Sequence, residues 1–192
     1  MTAVEKLKER FTYSDYRQWP QDERWELIDG VAYMMAAPSL LHQLFTFEIG
    51  FQIRAYLADR RCSVYSAPFD IRLPKQDEAD DDVDTTVQPD VAVICDRGKL
   101  DDKGCRGAPD WAIEVLSPST AIKDMDIKRQ LYEKHGVKEY WIVHPTDRWL
   151  MVYTLNDSGQ YNPYPHLVGL EEPTPVGLFP ALRIDWSFVR EA

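Results

Sequence analysis

Trp111-Ala112-Ile113-Glu114-Val115-Leu116-Ser117-Pro118-Ser119-Thr120 reads as a strand that stops at a helix cap. The run is short, aromatic at its start and apolar on both sides of one acid, as a buried strand requires. Ser117 to Thr120 then caps a helix extending to about His135, where Gly136 supplies the left-handed stop. The acid is the anomaly. A lone buried Glu costs several kcal/mol unless it is paired, protonated or bound to metal. Glu114 therefore either pairs with an Arg or Lys of a neighbouring element or serves chemistry.

Working outward, Trp25-Glu26-Leu27-Ile28 and Val31-Ala32-Tyr33-Met34 flank Asp29-Gly30, a dipeptide suited to the positive φ of a tight hairpin turn. Leu41, Leu44, Phe45, Phe47, Ile49, Ile53 and Leu57 recur at helical spacing, so residues 38–60 form a long amphipathic helix started by Pro38-Ser39. A short helix from Thr12 or Ser14 to Trp19 precedes them. Strands are expected over 62–67, 69–73 and 91–95, then 138–143 and 149–155 after the second helix. The tail carries Pro163, Pro165, Pro173, Pro175 and Pro180 and should be irregular, with a short strand near 182–184 and a helical turn at the end. The alternation of helix, strands, helix and strands indicates an α/β or α+β fold, one mixed sheet flanked by two long helices.

The chain has 192 residues, 44% of them hydrophobic and 12% aromatic, which excludes fibrous and disordered classes and fits a single domain. Residues 1–10 mix cations with glutamates and contain no signal-peptide core, and no apolar run reaches membrane-spanning length, so a soluble, cytoplasmic protein is expected. Cys62, Cys95 and Cys105 are an odd set without a C-x-x-C pair, which fits reduced thiols better than a disulfide or zinc framework. The formal net charge is -10, and that weighs against nucleic-acid partners. Six acids of residues 77–84 supply more than half of it, and such a run is most simply a solvated, mobile loop. Its place just ahead of Asp90 also allows it to repel DNA near a cleft.

Three polar positions interrupt segments that otherwise want to be core. Gln88-Pro89-Asp90 puts a carboxylate at the head of Val91-Ala92-Val93-Ile94, although X-Pro-Asp is also an ordinary turn. Glu114 is the second. On the following helix Asp124, Lys128 and Tyr132 stand four residues apart and share one face. Lys128 there reaches over the carboxylates or forms a solvated pair with Asp124; Lys123 and Lys134 read only as solvated.

These residues resemble the Uma-type putative restriction endonucleases of the PD-(D/E)XK nuclease superfamily. The resemblance rests on Glu26-Leu27-Ile28-Asp29-Gly30, His42, Pro89-Asp90, the run from Glu114 to Thr120, Lys128 with Tyr132, and Gly136-Val137-Lys138-Glu139-Tyr140-Trp141, in that order. It spans a nuclease core of about 24–145, with 146–192 as a C-terminal strand and proline-rich extension. The superfamily's namesake lysine would sit two residues after the second acid, where Leu116 stands, and the resemblance implies that Lys128 replaces it from the helix.

What the resemblance implies is a restriction-endonuclease-like fold and a Mg²⁺- or Mn²⁺-dependent endonuclease acting on DNA. Asp90, Glu114 and the carbonyl of Val115 would hold the metal, hard oxygen donors for a hard cation. Lys128 would orient the attacking water and stabilise growing charge. Glu26 reads as a ligand of a second metal, an acid behind the ligands, or an exposed hairpin residue. His42 reads as a phosphate or water contact or a core histidine, and Tyr132 as the companion of Lys128. Arg97, Lys99, Lys103 and Arg106 are candidate DNA contacts. A homodimer is implied, with Tyr140, Trp141, Trp149 and Tyr153 as possible contact surface or as core. The other reading is a non-catalytic nucleic-acid or protein-binding module that keeps the fold.

Overall fold

The structure, a computed structural model, describes residues 10–20, 22–118 and 120–190. Ser119 of the helix-capping run and residues 1–9 lie outside them. Helix α1 (Tyr13–Tyr16) leads to β1 (Trp25–Ile28), β2 (Val31–Met34) and α2 (Leu40–Leu57). Strands β3 (Ser63–Ser66), β4 (Ile71–Arg72), β5 (Thr86–Val87), β6 (Val91–Ile94), β7 (Leu100–Asp101), β8 (Gly104–Arg106) and β9 (Trp111–Val115) follow. A π-helical stretch (Lys123–Lys128) runs directly into α3 (Arg129–His135). Five strands come after it: β10 (Glu139–His144), β11 (Trp149–Thr154), β12 (His166–Gly169), β13 (Thr174–Pro175) and β14 (Arg183–Ile184).

The main sheet has the order β12-β11-β10-β9-β6-β3 and is mixed. Within it only β9 and β10 pair in parallel, because the helical stretch between them is the long crossover that a parallel pair needs. Side-chain alternation divides the strands. Val91, Val93, Trp111, Ile113 and Val115 join a core with Phe45, Ile49 and Ile53 of α2. Ala92, Ile94, Ala112 and Leu116 join one with Leu131 and Tyr132 of α3. Glu114 has the parity of Ala112 and Leu116, so it projects toward the crossover helix.

A second sheet, β2-β1-β5-β4-β8-β7, carries the hairpin expected at Asp29-Gly30, whose φ values of 46° and 80° are both positive. Helix α2 runs where its apolar spacing places it, with the Ser39 hydroxyl accepting from His42 N at 3.2 Å. The second helix is not a regular α-helix: its first half is π-wound. The tail is less irregular than its prolines suggest, since β12 extends the main sheet, while Val176, Leu182, Ile184 and Trp186 are buried in the α2-side core.

Two expectations are corrected, and the choice between core and contact surface is decided for one pair. Cys62 and Cys95 form a disulfide of 2.01 Å, because the β3/β6 register, continued one residue past Ser63 and Ile94, makes them cross-strand neighbours. Their separation of 33 residues carries no motif that shows this; Cys105 alone is a free, buried thiol. Tyr140 and Trp141 are fully buried, so that pair is core, and the exposed apolar side chains include Phe47 and Phe51 on α2. Residues 77–84 are not a free loop. They form a 3₁₀ turn over Asp80–Asp82 with Val83 fully buried, and Asp80 receives the buried Arg72 guanidinium at 2.6 Å.

Candidate active site

The β6/β9 register pairs Val91 with Ile113, and one step further it sets Asp90 opposite Glu114. Like charges facing one another across a sheet are destabilising, so this pair is not there for stability. Asp90 Oδ2 accepts from Val115 N at 2.7 Å, which pins its carboxylate to the edge of β9, and His42 Nε2 approaches the same oxygen at 3.1 Å. Glu114 Oε1 accepts from Lys128 Nζ at 2.8 Å and from the Tyr132 hydroxyl at 3.0 Å. Asp90, Glu114, His42 and Lys128 all line one cavity of about 350 Å³, floored by the strand ends and walled by α2 and the π turn.

Lys128 is almost fully buried. Besides Glu114, it contacts Glu26 Oε1 at 2.7 Å and Asp124 Oδ1 at 3.6 Å. Glu26, fully buried, spends its other oxygen on Lys123 Nζ at 2.5 Å and also accepts from Gln88 N at 2.9 Å. With both oxygens so occupied, Glu26 is an acid that holds the two ammonium groups rather than an exposed hairpin residue. Spacing alone offers Lys123 only a solvated role, yet it joins the buried acids of the candidate site. In a regular α-helix residues five apart point about 140° away from one another. A π turn bonds i to i+5 and brings them to the same side, so Lys123 and Lys128 meet one carboxylate. No feature of composition or spacing announces that turn. The Tyr140 hydroxyl donates to the Asp124 carbonyl at 2.9 Å, supplying a partner inside the irregular winding.

Burial strongly opposes the charge on Lys128, but Glu114, Glu26 and Asp124 outweigh it and hold its pKa well above the usual range. Burial raises Glu114 well above an ordinary carboxyl despite Lys128, and Asp124, Asp90 and Glu26 push the same way. Burial also works against Glu26, yet Lys128 and Lys123 bring its pKa below the usual value. For His42, burial favours the neutral ring and the bond to Asp90 more than reverses that.

Four carboxylates, Glu26, Asp90, Glu114 and Asp124, thus crowd around two ammonium groups and a histidine, and burial with mutual repulsion raises the pKa values of Glu114 and Asp124. Asp124 Oδ1 is buried without a hydrogen-bond partner. Crowded carboxyl groups and an unsatisfied acceptor are what a divalent cation would relieve. Among the described residues no three His, Cys, Asp or Glu side chains are disposed to hold a metal by themselves. Two carboxylates, a carbonyl and waters are instead the mixed shell that Mg²⁺ tolerates.

The four basic residues suggested as DNA contacts are not brought to this cavity. Lys99 donates to the Ala108 carbonyl at 2.8 Å, Lys103 and Arg106 pair with Asp80, and Arg97 borders a separate hollow beside Cys62. Nor does the acidic turn reach it. The cations that do line it are Arg24, Lys123 and Lys128.

A family model described as "Uma2: Putative restriction endonuclease" matches residues 13–187, nearly the whole chain and every element of the site. The chain belongs to the Uma2 family. Among curated proteins, "Uncharacterized protein slr1290" of Synechocystis sp. is 27% identical over 150 residues, covering 77% of this chain and 75% of the relative. Among solved structures, a putative nuclease belonging to DUF820 from Anabaena variabilis superposes with a TM-score of 0.73 at 19% identity, covering 94% of this chain and 98% of its own. That likeness shows the fold, a mixed α+β architecture of the restriction-endonuclease-like kind, and Uma2 membership supports a nuclease. No helix of the described residues is long and apolar enough to cross a membrane.

Proposed function

We propose that this chain is an endonuclease that hydrolyses DNA phosphodiester bonds with Mg²⁺ or Mn²⁺. One observation carries the reading: Asp90 and Glu114 face one another at adjacent strand ends, in a cavity that also holds a buried, protonated Lys128. Asp90, Glu114 and the Val115 carbonyl are the residues to hold the cation, which when bound would supply a water acidic enough to attack near neutral pH. Val115 N fixes the Asp90 carboxylate, and Tyr132 with Lys128 fixes that of Glu114, so both oxygen donors are oriented in advance. Lys128 carries its charge into a water-poor cavity, where it favours negative charge growing on a phosphate. Glu26 positions both lysines, and His42 steadies Asp90.

Plasmid DNA should be nicked with Mg²⁺ or Mn²⁺ and not with Ca²⁺. Asp90→Ala, Glu114→Ala and Lys128→Ala should each abolish nicking while circular dichroism stays that of the folded chain. Cleavage that survived all three would sink the assignment.

A second reading, a binding module without turnover, is favoured by the direct Lys128–Glu114 ion pair, which takes up one of the two Glu114 oxygens that a metal could use. Calorimetry with Mn²⁺ separates the two. Heat of binding that vanishes in Asp90→Ala supports the enzyme, and no binding supports the module. Cutting both strands of a duplex is easier with two sites, and a homodimer fits the exposed Phe47–Phe51 stack on α2, because Phe47 also borders the cavity.

A further inference from the structure

A second cavity, of about 980 Å³, adjoins the first. Arg24 lines both, and its guanidinium donates to Gln88 Oε1 at 3.1 Å, two residues before Asp90. Whatever occupies the second cavity therefore lies one side chain away from the one that holds Asp90 and Glu114. We propose that it receives an unstacked, amino-bearing nucleobase of the strand being cut, an inference that rests on the nuclease reading above.

The walls select that occupant. Trp19, Trp25 and Phe69 are half-buried there, with the two indoles 5.5 Å apart and tilted by 61°. Partly exposed aromatic side chains beside a strand-cleaving site are the stacking platforms used for single-stranded nucleic acid. The charges favour a base over the backbone. Arg17 is committed to Asp81 and Lys103 to Asp80, which leaves Arg24, at the junction with the first cavity and held only by the neutral Gln88 side chain, as the one cation there without an acidic partner among the described residues. Asp22 and Asp102 border the same space and carry no hydrogen bond among the described residues, while Asp70 spends Oδ1 on Tyr16 and Gln88. Carboxylates accept from the exocyclic amines of cytosine, adenine and guanine, and thymine offers no such group.

The test uses the full chain and free nucleosides, so no bond is cut and no metal is required. Tryptophan fluorescence should be quenched saturably by cytidine, and thymidine should bind at least about fivefold more weakly. Trp19→Leu should weaken cytidine about tenfold, the scale of one base–aromatic stack. Asp22→Asn together with Asp102→Asn, which keeps the size of both side chains and removes the two carboxylates without hydrogen bonds, should lower the cytidine preference even where Trp19→Leu fails to fold. Asp90→Ala should leave cytidine binding within about twofold, so failure of cleavage and failure of base binding are read separately. Absence of saturation, equal binding of the two nucleosides, an unchanged preference in the Asp22→Asn, Asp102→Asn variant, or saturation by free arginine in place of cytidine would each overturn the proposal.

Discussion

Lys128 holds together three carboxylates that have almost no access to water, and that makes it the most consequential side chain of the site. Removing one partner of a buried ion pair typically costs about 3–5 kcal/mol, because the other charge is left uncompensated. Lys128→Met should therefore lower stability by about that amount in urea unfolding, with Glu114→Gln in the same chain recovering part of it. A loss below about 1 kcal/mol would mean that the lysine is not buried among these acids. Glu114 was legible in the sequence because it breaks an apolar strand. Asp90 was legible as a carboxylate at a strand head, but not as the residue facing Glu114, since that depends on register. Lys123 was hidden, because its place follows from a π turn and the spacing argument assumed the ordinary α-helical repeat.

At the scale of elements, the hairpin, α2 and most strands of the main sheet follow from turn chemistry and apolar periodicity. What composition misjudged were the charged and proline-rich segments, where partners distant in sequence decide the outcome. The acidic turn is one. Asp80 accepts from Arg72 and Lys103 and lies 3.5 Å from the Arg106 guanidinium, so Asp80→Ala should cost about 1–3 kcal/mol rather than the ±0.5 usual for a surface change. Thermal denaturation decides between those values, and it would also show that deleting residues 77–84 unsettles β4 instead of simply unmasking a cleft. The tail is the other. Glu139 is buried and accepts from the Trp141 indole at 2.7 Å, Gly177 N at 3.2 Å and Leu178 N at 2.8 Å, tying the end of the chain to β10 without any cation. Glu139→Ala would leave three donors unsatisfied and should cost about 2–4 kcal/mol, with early protease cuts in residues 170–190. Burial raises the Glu139 pKa despite those donors. The folded chain thus binds this proton more readily than the unfolded one, and its share of stability falls as pH rises through the raised pKa. Glu139→Ala should flatten that slope in pH-dependent unfolding.

For the molecule as a whole, the charge that first argued against nucleic acid is largely answered within the fold. Asp80, Asp81 and Asp84 pair with Arg72, Lys103, Arg106, Arg17 and Lys75, which removes from DNA binding two of the cations expected to serve it. The acids of the candidate cavity share one buried lysine, so on the proposed metal-dependent reading affinity for a duplex should depend on metal. The Cys62–Cys95 bond acts at the same scale. It closes a loop of sequence separation 33 that contains β4, the acidic turn, β5 and Asp90. The chain-entropy account assigns such a closure about 3–4 kcal/mol, through a more restricted unfolded state. Cys95→Ser, or reduction in oxygen-free buffer, should lower stability by that order in urea unfolding. Because β3 and β6 remain paired by their own ladder, and Asp90 is held by Val115 N, Mn²⁺ affinity at room temperature should stay within about threefold. Equal stability of the reduced and oxidised chains would show that the two cysteines are not joined in the folded protein. Lost Mn²⁺ binding on reduction would show instead that the disulfide, and not the strand ladder, holds Asp90 opposite Glu114.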